Sequence, residues 1–254
     1  MTETGTPTAA IGIAGSGLCI PDEALASTLG FTAAGLETGL LPPMVRRRTS
    51  RATRVAIAAA ERACVAADVA RQLPAIFVSA VGEMQVTDQL CTAIGRQEYP
   101  LSPTLFHNSV HNTAAGYWSM ATGSMASMQA MAGLDDGFAL ALLEAWCQLQ
   151  TVSERVLLVV YDAAMPVHFL PDYHWQTGAF ALVLDRNTGD LPSLHCPFQA
   201  QSPDPTVAVT DFPARNPAMA CVPLFQALQQ ADGGAQRLTL SNGPTPWQVT
   251  LVMP

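Results

Sequence analysis

The stretch 124–146, SMASMQAMAGLDDGFALALLEAW, is typical of a strand, a corner of small residues and then a strongly apolar helix. The corner falls at Ala132 and Gly133, the place where enzymes of several folds mount a nucleophile between a strand and a helix. Here the corner supplies only a methyl group and a hydrogen atom. Asp135 and Asp136 suit the start of the helix because carboxylates complement its dipole. The helix body is apolar nearly all round, which predicts burial on every side.

The segments on both sides of this unit alternate between strand and helix patterns. The stretch 11–18, IGIAGSGL, predicts a glycine-punctuated strand, and 74–80, PAIFVSA, predicts a strand buried on both faces. The stretch 50–73 has helical periodicity, with Ser50 as a candidate N-cap. We predict further helices at 83–94, 105–123 and 218–231, and further strands at 155–163, 179–185 and 247–253.

The order of these elements predicts the fold class. Alternating strands and helices with buried strands are typical of a layered α/β fold. The helix at 105–123 is expected to end at Gly123, and the stretch 189–217 is rich in proline and polar residues, which predicts an irregular connection. We therefore expect a single α/β domain over residues 1–254.

The composition is apolar for a water-soluble chain. Hydrophobic residues make up 49% of the 254 residues and charged residues 13%, against about 25% charged in an ordinary soluble domain. The longest aliphatic run, VLLVVY at 156–161, is far shorter than the ~20 residues that cross a bilayer. The N-terminus lacks the pattern of a secretory signal. We expect a cytoplasmic protein without a membrane span, part of whose surface is covered by a partner.

The net charge and the residue composition exclude several kinds of function. The net charge of −8 argues against nucleic-acid binding, and the chain contains no lysine, so Schiff-base chemistry has no amine to use. The five histidines show no metal-site spacing, and no metal is expected. The six cysteines are interpreted as reduced and mostly buried; they are Cys19, Cys64, Cys91, Cys147, Cys196 and Cys221.

Four segments together resemble the N-terminal half of a β-ketoacyl synthase. They are LPPMVRRRTSRATRVAIAAAERA (41–63), FVSAVGEM (77–84), LSPTLFHNSVHNTAAGYWSMATG (101–123) and AGLDDGFALALLEAW (132–146). The chain is most similar to the short chain length factors of aryl-polyene and xanthomonadin-type pathways. The resemblance implies a thiolase-like α/β/α fold, truncated relative to a full ketosynthase. It also implies a dimer whose two central sheets pair across the interface.

The resemblance also shows what this chain lacks. In active ketosynthases a cysteine closes the strand at the corner, because a thiolate at a helix N-terminus attacks a thioester. That position falls at Ala132, and the family's preceding glycine falls at Gly123. The chain also lacks the two histidine motifs and the lysine of the family. We therefore expect no catalysis by the chain itself and no cofactor of its own, since phosphopantetheine arrives on the carrier protein.

The related synthases contribute residues of the 101–123 segment to the dimer interface and the partner's acyl tunnel. The residues proposed for this wall are Phe106, His107, Val110, Thr113, Met128 and Met131. Ordinary interface packing is an equal alternative for the first four. Met128 and Met131 belong to a thioether-rich group with Met120, Met125 and Trp118, for which simple core packing is the alternative.

An arginine cluster at 46–54 holds five of the twelve cations of an acidic chain; its members are Arg46, Arg47, Arg48, Arg51 and Arg54. Cations at a helix N-terminus oppose the dipole, so the cluster needs a compensating anion. That anion is either an acidic acyl carrier protein, which charge would steer, or carboxylates of this protein or its partner.

Three other sequence patterns do not indicate a functional site. Ser109 and His111 lie side by side, but on a helix they would point about 200° apart and could not share a proton. The glycines of 11–18 lack the full dinucleotide-binding pattern. Asp162 ends a strand and is assigned no chemistry.

The sequence therefore predicts a non-catalytic chain length factor that pairs with a full-length β-ketoacyl-carrier-protein synthase and shapes its acyl tunnel. Two alternatives remain. The first is an independent thioester-processing enzyme with a displaced cysteine (Cys64, Cys91 or Cys147), although all three are expected in apolar helices that raise a thiol pKa. The second is a non-enzymatic scaffold that binds a carrier protein or lipid.

Overall fold

A computed structural model describes residues 9–169, 175–199, 216–230, 233–240 and 246–254. Within these ranges, nine strands form one sheet. They are β1 (Ile11–Cys19), β2 (Ala75–Val78), β3 (Met128–Met131), β4 (Arg155–Asp162), β5 (Gly178–Asp185), β6 (Ser193–Leu194), β7 (Phe198–Gln199), β8 (Gly234–Thr239) and β9 (Trp247–Met253). The helices are α1 (Glu23–Thr28), α2 (Pro43–Arg46), α3 (Arg51–Ala66), α4 (Met84–Gly95), α5 (Pro103–Asn108), α6 (Thr113–Thr122), α7 (Gly137–Thr151) and α8 (Val222–Gln229). Short 3-10 turns precede α7 and α8 at Leu134–Asp136 and Pro217–Cys221.

The sheet is mixed, with the strand order β3-β2-β4-β5-β1-β6-β9-β7 and with β8 paired to β9. The strand β2 runs parallel to both β3 and β4, whereas the other pairs are antiparallel. Parallel neighbours bring the carboxyl ends of β3, β2 and β4 to the same edge of the sheet. The corner at Ala132 and Gly133 lies at that edge.

Two hydrophobic cores cover the two faces of the sheet. Residues of α1, α7 and α8 pack on one face and residues of α3 and α6 on the other. Within β4 the alternation is direct: Leu158 and Val160 belong to the first core, and Val159 and Tyr161 to the second. Side chains of a strand alternate between faces, so burial on both faces requires an apolar run rather than an alternating one. The predicted α/β/α layering is confirmed.

Close backbone contact explains the glycine-punctuated strand β1. A Cβ atom at Gly17 would lie 2.4 Å from the amide nitrogen of Ala63 and 2.5 Å from the carbonyl oxygen of Ala59, and one at Gly15 would lie 2.5 Å from the amide nitrogen of Ala67. These glycines therefore let β1 lie directly against α3. Ser50 caps α3 as predicted, because its Oγ accepts a hydrogen bond from the amide of Thr53 at 2.9 Å.

The predicted helix over 105–123 is in fact two helices, α5 and α6, so this expectation was wrong. The break at 109–112 is closed by side chains that bond to backbone groups. The Thr113 hydroxyl bonds to the carbonyl oxygens of Val110 and Asn108 at 2.7 and 3.2 Å. Gly123, with a left-handed backbone, ends α6 as predicted.

Other expectations need correction. The helix α7 is buried along one face only, since Cys147 and Gln150 are exposed and Glu144 is half-buried. The irregular connection predicted for 189–217 contains the short strands β6 and β7, which join the sheet; its part at 200–215 lies outside the described residues. The elements α1, α2 and β8 were not predicted.

Over the described ranges, no helix combines the length and apolar character that a bilayer crossing requires.

Candidate functional site

The corner after β3 is a tight turn between a strand and a helix, with an alanine at its exposed position. Ala132 is exposed between the end of β3 and the 3-10 turn that leads into α7. A Cβ atom at Gly133 would lie 2.8 Å from the Cα atom of Gly137, so the corner is packed directly on the first turn of α7. Leu134 has a φ of 45°, in the left-handed region that non-glycine residues rarely occupy. Backbone strain of this kind costs about 1–3 kcal/mol and is concentrated at functional sites. The corner therefore presents a methyl group from a strained turn.

The cysteines divide into buried and exposed groups, which corrects the expectation that they are mostly buried. Cys19, Cys64 and Cys221 are buried, whereas Cys91 and Cys147 are exposed. Burial raises the pKa of the Cys64 thiol to about 11, which makes it a poor nucleophile at neutral pH. The displaced-cysteine alternative would therefore have to use Cys91 or Cys147. In the described ranges, no three His, Cys, Asp or Glu side chains form a group able to hold a metal ion.

A buried carboxyl group lies at the same edge of the sheet as the corner. Ser79 follows β2 and Asp162 ends β4, and the Ser79 hydroxyl donates a 2.6 Å hydrogen bond to Oδ1 of Asp162. The amide of Ala80 donates to Oδ2 at 3.2 Å. Burial raises the pKa of Asp162 to about 7, against the opposing effect of these hydrogen bonds. The sequence analysis did not predict this pair. The available signal was that Ser79 and Asp162 each stand at the end of an apolar run that predicts a strand.

This carboxyl group predicts an unusual dependence of stability on pH. An unfolded aspartate has a pKa of about 3.9, so the folded state binds more protons than the unfolded state between about pH 4 and 7. The stabilisation is complete below about pH 4 and is lost as the pH rises through about 7. Burial raises the pKa of Glu83 as well, and its contribution has the same sign. We expect Asp162→Asn to flatten this profile in urea unfolding at pH 5 and pH 8, with exposed Asp68→Asn as the control. A profile as steep in Asp162→Asn as in the unmodified chain would refute the assignment.

The polar residues of the α5–α6 break are used within the fold. The ring Nε2 of His111 donates to the carbonyl oxygen of Ser79 at 3.1 Å, because a carbonyl can only accept. The same ring contacts Gly82, where a Cβ atom would lie 2.9 Å from its Cδ2. The Ser109 hydroxyl instead donates to the carbonyl oxygen of Phe106 at 2.9 Å. Ser109 and His111 therefore have separate partners, and the serine-hydrolase interpretation stays excluded, although neither residue lies within a helix.

Large apolar side chains are exposed at the end of α5, in the α5–α6 break, at the end of α6 and on both sides of β3 in the chain. Phe106 is 68% exposed and Val110 47%, and Met120, Met125 and Leu134 are also exposed. Isolated exposed apolar residues are ordinary, but several in neighbouring segments indicate an interaction surface. Among the described residues β3 pairs with β2 alone, so its other edge is open. An open strand edge is a ready template for pairing with another chain.

The structure separates the residues predicted for the tunnel wall. Phe106, His107 and Val110 are exposed, and Met128 and Met131 are half-buried against the two cores. Thr113, in contrast, is buried and bonds to its own backbone, as described above. Core packing, the alternative for the thioether-rich group, holds for Trp118, which is fully buried, but not for Met120 and Met125.

The arginine cluster is mostly unpaired within the described part of the chain. Arg46 forms an ion pair with Glu37 at 2.6 Å. Arg47, Arg48 and Arg51 are exposed, and no ion pair joins them to a carboxylate of the described ranges. Arg54, also without an ion pair there, donates to the carbonyl oxygen of Ser50 at 3.3 Å. Pairing with this chain's own carboxylates therefore accounts for one of the five.

The sequence profile of the β-ketoacyl synthase N-terminal domain matches residues 26–248, so the chain belongs to this family. A search of curated protein sequences finds no significant match.

Solved structures with the same fold include complexes of ketosynthases. One chain in the complex of the ketosynthase ApeO with its chain length factor ApeC from Xenorhabdus doucetiae has a TM-score of 0.72 at 19% identity. The match covers 95% of this chain and 99% of the chain in that complex. The AntDE:AntF complex, a type II polyketide carrier protein with its ketosynthase bound to the hexaketide, has a TM-score of 0.72 at 13% identity, covering 98% and 100%. A β-ketoacyl synthase from Burkholderia phymatum has a TM-score of 0.55 at 11% identity, with coverage of 71% and 59%. At these identities the similarity establishes the thiolase-like fold.

Proposed function

We propose that this chain is a non-catalytic chain length factor that pairs with a full-length β-ketoacyl synthase. The observation that supports the proposal is the exposed Ala132 at the corner, the position that the resemblance assigns to the family's nucleophilic cysteine. The partner would supply the cysteine, the two histidines and the lysine for decarboxylative condensation. Malonyl and acyl groups would arrive as thioesters on a carrier protein. The fold is shared with active synthases, so the proposal depends on the residues of the corner.

The exposed apolar surface and the open edge of β3 support the pairing. Pairing of β3 with the corresponding strand of a synthase would close its open edge, and the exposed apolar side chains would supply further contact area. Obligate interfaces bury more than about 2,000 Å² and are more apolar than ordinary protein surfaces. A chain with only 13% charged residues is suited to such an interface. The pairing would place Phe106 and Val110 against the partner.

In this arrangement Phe106 and Val110 form part of the wall of the acyl tunnel. The volume of the tunnel would set the product length. The growing acyl chain would stop where the side chains of the wall close the tunnel. Phe106 is the larger of the two and lies on α5, which Asn108 anchors through its side chain to the carbonyl oxygen of Arg48.

Replacing Phe106 with alanine tests the proposed wall. Removal of the ring deepens the tunnel, and we expect the complex to make products longer by at least one two-carbon unit. Mass spectrometry of the products of the reconstituted complex measures this shift. Phe198→Ala, at an exposed phenylalanine of β7, is the matched control and should leave the length unchanged. Identical product lengths from both variants would contradict the role of Phe106.

The unpaired arginines support a second element of the proposal, the docking of an acidic carrier protein. Substituting Arg47 and Arg51 with glutamate is expected to weaken carrier-protein binding by about tenfold at low salt and less at high salt, because exposed charges are screened. Biosensor titrations at two ionic strengths measure the effect. Arg96→Glu, at an exposed arginine of another loop, is the control. Equal binding by all three proteins would show that the cluster serves another purpose.

A further inference from the structure

A cavity of about 560 Å³ lies between the loop before α2 and the helices α5 and α6. This volume is within the range of sites that hold small molecules. Its walls are mainly apolar, with Leu40, Leu41, Val45, Pro103, Met120 and Ala121 among the lining residues. Neither Phe106 nor Val110 lines it, but His107 does, so the cavity adjoins the residues predicted for the tunnel wall.

One cationic side chain belongs to this apolar cavity. Arg48 lines it, is exposed and is not part of an ion pair within the described ranges. Arg47 precedes it in the chain and is also unpaired there. No aspartate or glutamate is among the residues that line the cavity. The local field therefore favours an anion and disfavours a cation.

A network of hydrogen bonds holds the cavity in shape. The Tyr117 hydroxyl donates to Oδ1 of Asn108 at 3.0 Å, and Nδ2 of Asn108 donates to the carbonyl oxygen of Arg48 at 2.5 Å. The ring of His107 packs edge-on against Tyr117, with ring centroids 6.1 Å apart. The backbone of Arg48 is thus fixed to the helices that form the opposite wall. A site that is already formed before its ligand binds does not lose further conformational entropy when the ligand binds.

We propose that this cavity binds a free fatty acid, with its apolar chain between α2 and α6 and its carboxylate paired with the Arg48 guanidinium. A guanidinium binds a carboxylate through two parallel hydrogen bonds, which an alcohol cannot reproduce. The apolar walls supply the affinity for the chain, and Arg48 selects the head group. The site does not depend on the proposed pairing with a synthase, although Met120 belongs both to the cavity lining and to the exposed apolar surface.

Calorimetric titration of the full chain with decanoate, 1-decanol and decyltrimethylammonium tests the proposal. We expect decanoate to bind at least tenfold more tightly than decanol, and the cationic amphiphile not to bind. Arg48→Gln should remove the preference for decanoate over decanol, and Ala121→Trp should abolish the binding of both by filling the cavity. Arg96→Gln, at an exposed arginine outside the cavity lining, is the matched control and should bind as the unmodified chain does.

Two results would overturn the proposal. The first is decanoate binding that is absent, or that is the same in Arg48→Gln and Ala121→Trp as in the unmodified chain. The second is the loss of decanoate binding when a synthase is added, which would assign the cavity to a protein contact. Circular dichroism of each variant confirms that the fold is retained, and Val45→Trp provides a second filling variant if Ala121→Trp does not fold.

Discussion

Replacing Val110 with aspartate is expected to weaken the association with a synthase partner by at least ~100-fold. Val110 lies in the α5–α6 break, 47% exposed in the isolated chain and next to the exposed Phe106. In the proposed complex this side chain would be buried against the partner, and an unpaired charge there costs several kcal/mol. A loss of about 2.7 kcal/mol already corresponds to a hundredfold weaker Kd. Co-purification and analytical ultracentrifugation of the two chains measure the effect.

The matched control is Val152→Asp. Val152 follows α7 and is 81% exposed, and it lies at the opposite end of that helix from the corner. The same substitution there places a charge in water in both the free and the paired chain, so association should be unchanged. If Val110→Asp and Val152→Asp associate with the synthase equally well, the interface is elsewhere on the molecule. A retained thermal midpoint in both variants separates lost association from lost folding.

Replacing Gly17 with alanine is expected to destabilise the fold by at least ~3 kcal/mol. Its new methyl group would lie 2.4 Å from one backbone atom of α3 and 2.5 Å from another, and neither can move without displacing the helix. The helix α3 in turn packs on the sheet face next to β1 and β5. Differential scanning calorimetry should show a fall in Tm of roughly 6–12 °C.

Gly35→Ala provides the comparison for this substitution. No heavy atom lies within 4 Å of a Cβ atom built at Gly35, and its φ is outside the left-handed region. The change is therefore expected to leave the midpoint close to that of the unmodified chain. An equally small effect of Gly17→Ala would mean that β1 and α3 are not packed backbone to backbone.

The central strands and the corner could be predicted from the sequence because their signals are local. The apolar runs of β4 and β5 are too short for helices and are buried on both faces, so the sequence pattern is unambiguous. The small residues Ala132 and Gly133, between a strand pattern and a helix pattern, likewise predict the corner from local sequence alone. The break between α5 and α6 was not predictable, because it depends on His111 reaching Ser79 and on Asn108 reaching Arg48, contacts far apart in the sequence. Tertiary contacts of this kind override a continuous helical pattern.

The same distinction applies to the candidate site. The absence of a cysteine at Ala132 can be read directly from the sequence once the corner is located. The raised pKa of Asp162 could not be predicted, since it results from burial between two layers that only the fold brings together. The strand β8 was missed because it is short and has no regular apolar pattern, and its pairing with β9 is what makes it a strand. The cavity beside Arg48 is likewise formed by a segment at 40–48 and by two segments at 103–107 and 117–121 that lie more than 50 residues further along the chain.

The most direct test of the account is to locate the acyl group during the reaction. The purified complex of this chain with a synthase is incubated with an acyl thioester on a carrier protein, and the intact mass of each chain is then measured. The account predicts an acyl adduct on the synthase alone and an unmodified mass for this chain. An acyl adduct on this chain in the absence of the synthase, followed by formation of a carbon–carbon bond, would contradict it.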